Sequence, residues 1–321
     1  MTQHIGGLMK LRILHGIVLG VCVASASLTP AQSMVQIGPS NADPTQLVVG
    51  SNVLYEPTFT NYPLFQYSPL DHNFVLSSSP AFIRVMAVGG GNLFQPDEKW
   101  ILDTHTPPTV WRFDPPTQKW QSIITDQRSL DIAVGPGYGD SCHPYEVWMP
   151  LLDPTQGWFA ERFNYCTKAF VPIPSIPSIG GPWKVVVGGG EVWGVNIANR
   201  VFRFNAATGQ WQLMPGSLAQ LAVGVDGVWG VDSWGNIFEF NPVSQTFDAI
   251  PGQLMVIAAG GNGVWGVNFA NQVYRYEAST RSFVQVFGAQ LATIVVGTGG
   301  GVWGYAPTNT HSKPIFTFVS Q

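Results

Sequence analysis

Charge is what this chain has least of. Asp, Glu, Lys and Arg make up 11% of its 321 residues, against roughly 25% in an ordinary soluble domain. With a formal net charge of −4, it offers no electrostatic footprint for nucleic acid or an anionic membrane. Helical periodicity is missing too, since past the first thirty-odd residues no segment holds an apolar helical period for ten residues. The same region has no apolar run able to span a bilayer. The run at 13–23, preceded by Lys10 and Arg12 and followed by Ala24-Ser25-Ala26, is too short for a stable span. It has the layout of a secretory signal peptide, assigned here to residues 1–32 with the cleavage site open and Met9 as an alternative start. Cys22 lies inside it, and Val21 before that cysteine argues against lipoprotein acylation. The expected location is therefore secreted or periplasmic.

Catalytic signatures are also lacking. No His-Glu-x-x-His, Gly-x-Ser-x-Gly or clustered-carboxylate motif occurs. The histidines beyond the leader are His72, His105, His143 and His311, spread along the chain. Asp103 and His105 could begin a metal site, but two residues at that spacing are too few to predict one, so no metal is expected.

What the chain has in abundance is glycine and proline, 36 and 25 residues, and a phrase that recurs. Val192-Trp193-Gly194-Val195 returns as Val228-Trp229-Gly230-Val231 and Val264-Trp265-Gly266-Val267 at a spacing of 36 residues, then as Val302-Trp303-Gly304 at 38. A fixed period in this range means one supersecondary unit repeated. In the copy from Leu221 to Gly252, four short β-branched or aromatic runs are separated by Gly, Pro, Asn, Asp and Ser, the signature of strands and turns. Each unit is therefore a four-stranded antiparallel meander, with strands a, b, c and d. Such a unit is too small to bury its own apolar faces, and radial stacking of four-stranded units makes a β-propeller.

The same template recovers diverged units upstream. Strand a recurs at Leu47-Val48-Val49-Gly50, Met86-Ala87-Val88-Gly89, Ile132-Ala133-Val134-Gly135, Val185-Val186-Val187-Gly188, Leu221-Ala222-Val223-Gly224, Ile257-Ala258-Ala259-Gly260 and Ile294-Val295-Val296-Gly297. The prediction is one domain over 33–321, an all-β propeller of seven four-stranded blades. The last unit lacks a strand d, and Met34-Val35-Gln36-Ile37 resembles the strand that precedes the last strand a. The N-terminal strand is therefore expected to complete the final blade, which removes two exposed sheet edges.

Trp193, Trp229, Trp265 and Trp303 occupy one position on strand b. They could be sugar-stacking platforms, but a mid-strand ring flanked by Val and Gly is expected to wedge blade against blade. The b–c connections, which share a face with the d–a connections, read Asn196-Ile197-Ala198-Asn199-Arg200, Asp232-Ser233-Trp234-Gly235-Asn236 and Asn268-Phe269-Ala270-Asn271-Gln272. Amides and a carboxylate around an apolar or aromatic side chain suit neutral polyols. Asn196, Asn199, Arg200, Asp232, Trp234, Asn236, Asn268, Asn271 and Gln272 are therefore the candidate ligand-binding residues. For Asn196, Asp232 and Asn268 a purely turn-forming role is an equal expectation. Cys142 and Cys166 fall on connections that emerge on the other face, where a disulfide is expected, in keeping with export.

Gly227-Val228-Trp229-Gly230-Val231-Asp232, the following Ile237-Phe238-Glu239-Phe240, and Trp211-Gln212-Leu213-Met214-Pro215-Gly216 resemble the tectonin repeat of the tectonin, tachylectin and fish-egg-lectin family. The resemblance spans 184–304; over 34–183 only the strand spacing survives, as though units 1–3 had lost the motif. It implies a β-propeller lectin recognising glycans, often on bacterial or other foreign surfaces, through sites repeated around the ring. Well-known members have six modules, which is the alternative blade number. The expectation is a secreted, monomeric, multivalent lectin-like protein without catalysis or cofactor, calcium assistance being supported by no motif. The alternatives are a protein-interaction scaffold in the periplasm or on the cell surface, and a propeller lyase or hydrolase.

Overall fold

The computed structural model describes residues 33–39, 46–51, 53–57, 64–68, 73–80, 82–89, 97–123, 129–137, 140–308 and 313–319. The leader at 1–32, His72 and His311 lie outside them. Every regular element among the described residues is a strand, and all of them belong to the unit Gln32–Gln321.

The strands pair as the repeat requires. Unit 1 comprises Val48–Val49, Leu54–Pro57, Leu64–Ser68 and Asn73–Ser77; unit 2 comprises Ile83–Gly89, Glu98–Asp103, Val110–Asp114 and Lys119–Ile123. Ala133–Pro136, Tyr145–Asp153, Gly157–Asn164 and Ala169–Ile173 form unit 3; Lys184–Gly188, Glu191–Val195, Arg200–Asn205 and Gln210–Ser217 form unit 4. Unit 5 is Gln220–Gly224, Gly227–Val231, Asn236–Asn241 and Thr246–Gln253; unit 6 is Val256–Gly260, Gly263–Val267, Gln272–Glu277 and Ser282–Gln290. Unit 7 takes Thr293–Val296, Val302–Tyr305 and Pro314–Val319 from the C-terminal end and Ser33–Pro39 from the N-terminal end. This last strand runs antiparallel to Pro314–Val319, with Met34 opposite Phe318 and Val35 opposite Thr317, and touches unit 6 through a parallel pairing of Ser33 with Phe287. The described strands thus form five four-stranded sheets and one eight-stranded sheet, in which units 6 and 7 are joined through Ser33–Pro39. Each strand a contacts strand a of the next unit, and that of unit 7 contacts that of unit 1.

The inner ends of the a strands come close enough to dictate their sequence. Val49, Val88, Val134, Val187, Val223, Ala259 and Val296 line a cavity of about 110 Å³ on the axis. The residue after each is glycine because there is no room for a side chain. A Cβ on Gly188 would stand 2.1 Å from the Val223 carbonyl oxygen, and one on Gly297 would stand 2.6 Å from that of Gly50.

The cores lie between units rather than within them. Each of the buried apolar clusters among the described residues draws on two adjacent units, as where Trp193 and Val201 of unit 4 pack with Leu221, Val228 and Phe240 of unit 5. The strand-b tryptophans are the wedges: Trp193, Trp229, Trp265 and Trp303 are all buried. The front units fill the same place, so the motif is less diverged there than the sequence suggests. Cross-strand register puts Tyr55, Trp100 and Trp148 opposite strand-a residues Val48, Ala87 and Ala133, as Trp193 is opposite Val186. Five of these rings meet, edge to face, an aromatic at the end of strand c in the next unit. The pairs are Trp100–Phe163, Trp148–Phe204, Trp193–Phe240, Trp229–Tyr276 and Trp265–Phe318, with centroids 4.4–4.8 Å apart.

Trp229→Ala is expected to destabilise the protein by about 3–5 kcal/mol, a transfer loss plus a cavity; calorimetry of the purified variant checks this. Met34 is buried against Trp265 and Ile294. Deleting residues 34–37 should therefore cost at least about 2 kcal/mol as a buried site is emptied and a sheet edge is uncovered. Melting indistinguishable from the undeleted protein would contradict the closing role of that strand.

Candidate functional site

The b–c connections of units 4, 5 and 6 are built on one plan. In each, the first side chain folds back on the loop: Asn196 Oδ1 accepts from the N–H groups of Ala198 and Arg200 at 3.0 and 2.9 Å. Asp232 Oδ1 accepts likewise from Trp234 and Asn236 at 2.8 and 2.9 Å. Asn268 Oδ1 accepts from Ala270 and Gln272, both at 2.9 Å. The second polar atoms are also engaged, since Asn196 Nδ2 donates to Ile179 O, Asn268 Nδ2 donates to Gln272 Oε1, and Asp232 Oδ2 accepts from Asn236 Nδ2. The structure thus gives Asn196, Asp232 and Asn268 the turn-forming role. Partial burial pushes the Asp232 carboxyl up, but the Asn236 amide and the N–H groups of Trp234, Asn236 and Gly235 outweigh it and hold the group below the usual carboxylate range.

Asn199, Gly235 and Asn271 hold the left-handed position of these turns, with φ of 58°, 84° and 62°, a conformation that asparagine and glycine tolerate best. Their carbonyls accept from Leu218, Leu254 and Leu291 N–H, which ties each b–c loop to the d–a connection of its own unit. Neighbouring loops touch as well: Asn199 Nδ2 donates to Ser233 Oγ at 2.9 Å, and the Phe269 ring lies over Gly235, where a Cβ would meet it at 2.6 Å.

The loops therefore form one ridge across three units, and its crest is apolar. Ile197, Trp234 and Phe269 are 74%, 76% and 60% exposed. Arg200 and Asn236 are exposed beside them. Between units 5 and 6 a cavity of about 420 Å³ is lined by Ile237, Gln253, Asn268, Tyr274 and Phe283, among others. Gln253 Nε2 donates to Trp234 O, and Tyr274 donates to Gln272 Oε1. Exposed rings, amides and one phenol hydroxyl can stack on a C–H face and hydrogen-bond hydroxyls. The sequence reading missed Gln253, Tyr274 and Phe283. They sit on strands, and only the register between units brings them to the loops.

The corresponding b–c residue of unit 2 is Asp103, fully buried. It accepts from the N–H groups of His105 and Thr109 and from Trp111 Nε1, and lies 2.8 Å from His105 Nδ1. Burial pushes its carboxyl up, but these hydrogen bonds prevail and hold it below the ordinary value. No group of three or more His, Cys, Asp or Glu gathers as a metal site among the described residues, and no helix among them is long and apolar enough to cross a membrane. On the opposite face Cys142 and Cys166 are joined in a disulfide, Cα atoms 5.0 Å apart, linking the a–b and c–d connections of unit 3.

The sequence profile of the Tectonin domain matches residues 183–305, the span of units 4–6 and the start of unit 7. No curated protein sequence matches the chain. Among solved structures, the chain is similar to one described as YCF48 bound to D1 peptide, with a TM-score of 0.58 and 13% identity over 91% of this chain and 98% of that one. It is also similar to the Cps50 (Swd1) β-propeller domain of Myceliophteria thermophila, with a TM-score of 0.62 and 9% identity over 89% of this chain and 99% of that one. At such identities the likeness concerns the fold alone. The fold is a β-propeller, and residues 183–305 of it are similar to the Tectonin domain.

Because the Asp103 carboxyl is depressed in the folded protein, the stability it confers is full above its unfolded pKa of about 3.9. That stability is lost as pH falls through the lower folded value. Asp103→Asn is thus expected to melt lower at pH 7 and to flatten the fall in melting temperature as the pH drops below about 4. Parallel pH profiles for the two proteins would rule this out.

Proposed function

We propose that this protein is an exported, non-catalytic, lectin-like propeller that binds glycans through the ridge of b–c and d–a connections on units 4–6. The observation that carries the reading is the exposed line of Ile197, Trp234 and Phe269 beside an amide- and tyrosine-lined cavity. An indole that nothing in the turn requires, about three-quarters exposed to solvent, is a ready platform for the apolar face of a pyranose. The polar partners are Gln253, Gln272, Tyr274 and the free side chains of Arg200 and Asn271. Asn196, Asp232 and Asn268 hold these groups in place. The Tectonin profile supports the lectin reading, and the disulfide is consistent with an oxidising compartment. The protein acts as a monomer whose related loops raise avidity where epitopes match their spacing.

A protein-binding scaffold is the second reading, favoured by the same three apolar side chains standing in a row. A glycan array separates the two. The expected result is saccharide binding that Trp234→Ala weakens by about thirtyfold, the effect of losing an aromatic hot spot worth about 2 kcal/mol, with melting unchanged. An array blank at high protein concentration would count against the lectin and for the scaffold.

A further inference from the structure

The interface between units 5 and 6 breaks the pattern of its neighbours on the face opposite the ridge. In units 2, 3 and 4, strand b carries Glu two residues before its Trp, and strand c carries Arg opposite that Trp. One carboxylate serves both. Glu146 accepts from Trp148 Nε1 at 2.7 Å and from Arg162 Nε at 2.8 Å. Glu191 accepts from Trp193 Nε1 at 2.5 Å and from Arg203 Nη2 at 2.7 Å. The Arg203 guanidinium lies 5.5 Å from the Trp193 ring and 5.8 Å from Phe240 of the next unit.

Unit 5 has neither partner. Gly227 stands in the place of Glu191 and Glu239 in that of Arg203, opposite Trp229. A Cβ on Gly227 would meet nothing within 4 Å. The place that a carboxylate fills beside the indole in units 2–4 is therefore left without one here. Trp229 is 1% exposed, and its Nε1 has no hydrogen-bond partner. The space belongs to a cleft of about 860 Å³, toward the upper end of the ~300–1,000 Å³ of ligand pockets. Asp226, Glu239, Asp248 and Glu277 line it against Arg275 and Arg281, so the lining is net acidic. Glu239 pairs with Arg281, whose Nη2 is 3.6 Å away on a side chain 63% exposed. Burial pushes the Glu239 carboxyl up, Asp248 adds to this, and Arg281 offsets it only in part.

We propose that this cleft binds an arginine residue of a polypeptide partner. The guanidinium enters beside Glu239, against Trp229 and Tyr276, where units 2–4 place their own arginine. A guanidinium suits the place better than an ammonium, because its planar donors pair with carboxylates while its faces lie on rings. The cleft is several times the volume of one side chain, which leaves room for flanking backbone.

The test is calorimetric titration of the full chain with acetyl-Gly-Arg-Gly-amide and with its lysine and citrulline counterparts. The arginine peptide should bind most tightly, and the uncharged citrulline peptide about tenfold or more weaker. Glu239→Gln should weaken arginine binding by a similar factor. Arg281→Ala should tighten it by up to about fivefold, because a loose competing cation is removed. Glu239→Arg, which restores the arrangement of unit 4, should abolish binding without lowering the melting temperature. Trp234→Ala, on the other face, should leave peptide binding unchanged. Equal affinity for citrulline, indifference to Glu239→Gln, tighter binding of an acidic control peptide, or no arginine binding at millimolar concentration would each overturn the assignment.

Discussion

The strand-b tryptophans of units 2–6 are driven edge-on into an aromatic of the next unit, and the rest of the molecule follows from that contact. A four-stranded meander cannot bury both faces alone. The wedge gives each unit a face that is complete only when its neighbour is present. Such aromatic pairs are worth about 0.5–1.5 kcal/mol each beyond the area they bury, and the contact recurs from unit to unit. The packing also sets how far the a strands lean together, so that glycine alone fits where they converge. Around the wedge, units 2–4 add a carboxylate, buried in units 2 and 3, that bridges indole and guanidinium. A buried charge of this kind is tolerable only when fully paired. The interface of units 5 and 6 is open because both halves of that pairing were replaced together.

The two faces of the ring have different chemistry. One carries turns whose polar side chains are largely consumed in holding the backbone, so that apolar tips project into solvent. The other carries the disulfide, the ends of the carboxylate–arginine pairs and the acidic cleft. Proteins of this architecture need no change of fold to gain or lose a site, because a single substitution at a cross-strand position alters what lies between two units.

The 36-residue echo made the framework legible: the strands, their grouping and the completion of unit 7 by the N-terminal strand all follow from it. Tyr55, Trp100 and Trp148 were not recognised as wedges. Their flanking Val-Gly context is lost and their connections are longer, so the period that exposed Trp193 is blurred there. The Glu-x-Trp spacing of Glu98, Glu146 and Glu191 was the signal that could have found two of them. At the candidate site, Trp234 stood out as an indole in a turn. Asn196 did not declare whether its amide faced ligand or backbone, because the same residue type serves both purposes. Gln253, Tyr274 and Glu239 could not be placed at all, since their significance depends on which residue of another strand stands opposite.

The strand that seals unit 7 has a consequence for how the molecule is made. Val35 is paired with Thr317, so among the described strands the first to be made must wait for the last. Contacts of such large sequence separation form late and slowly. Throughout translation the nascent chain therefore holds an unpaired strand at one end and an unfinished arc at the other. Closing the circle is thus a step that only the finished span from Ser33 to Val319 can take.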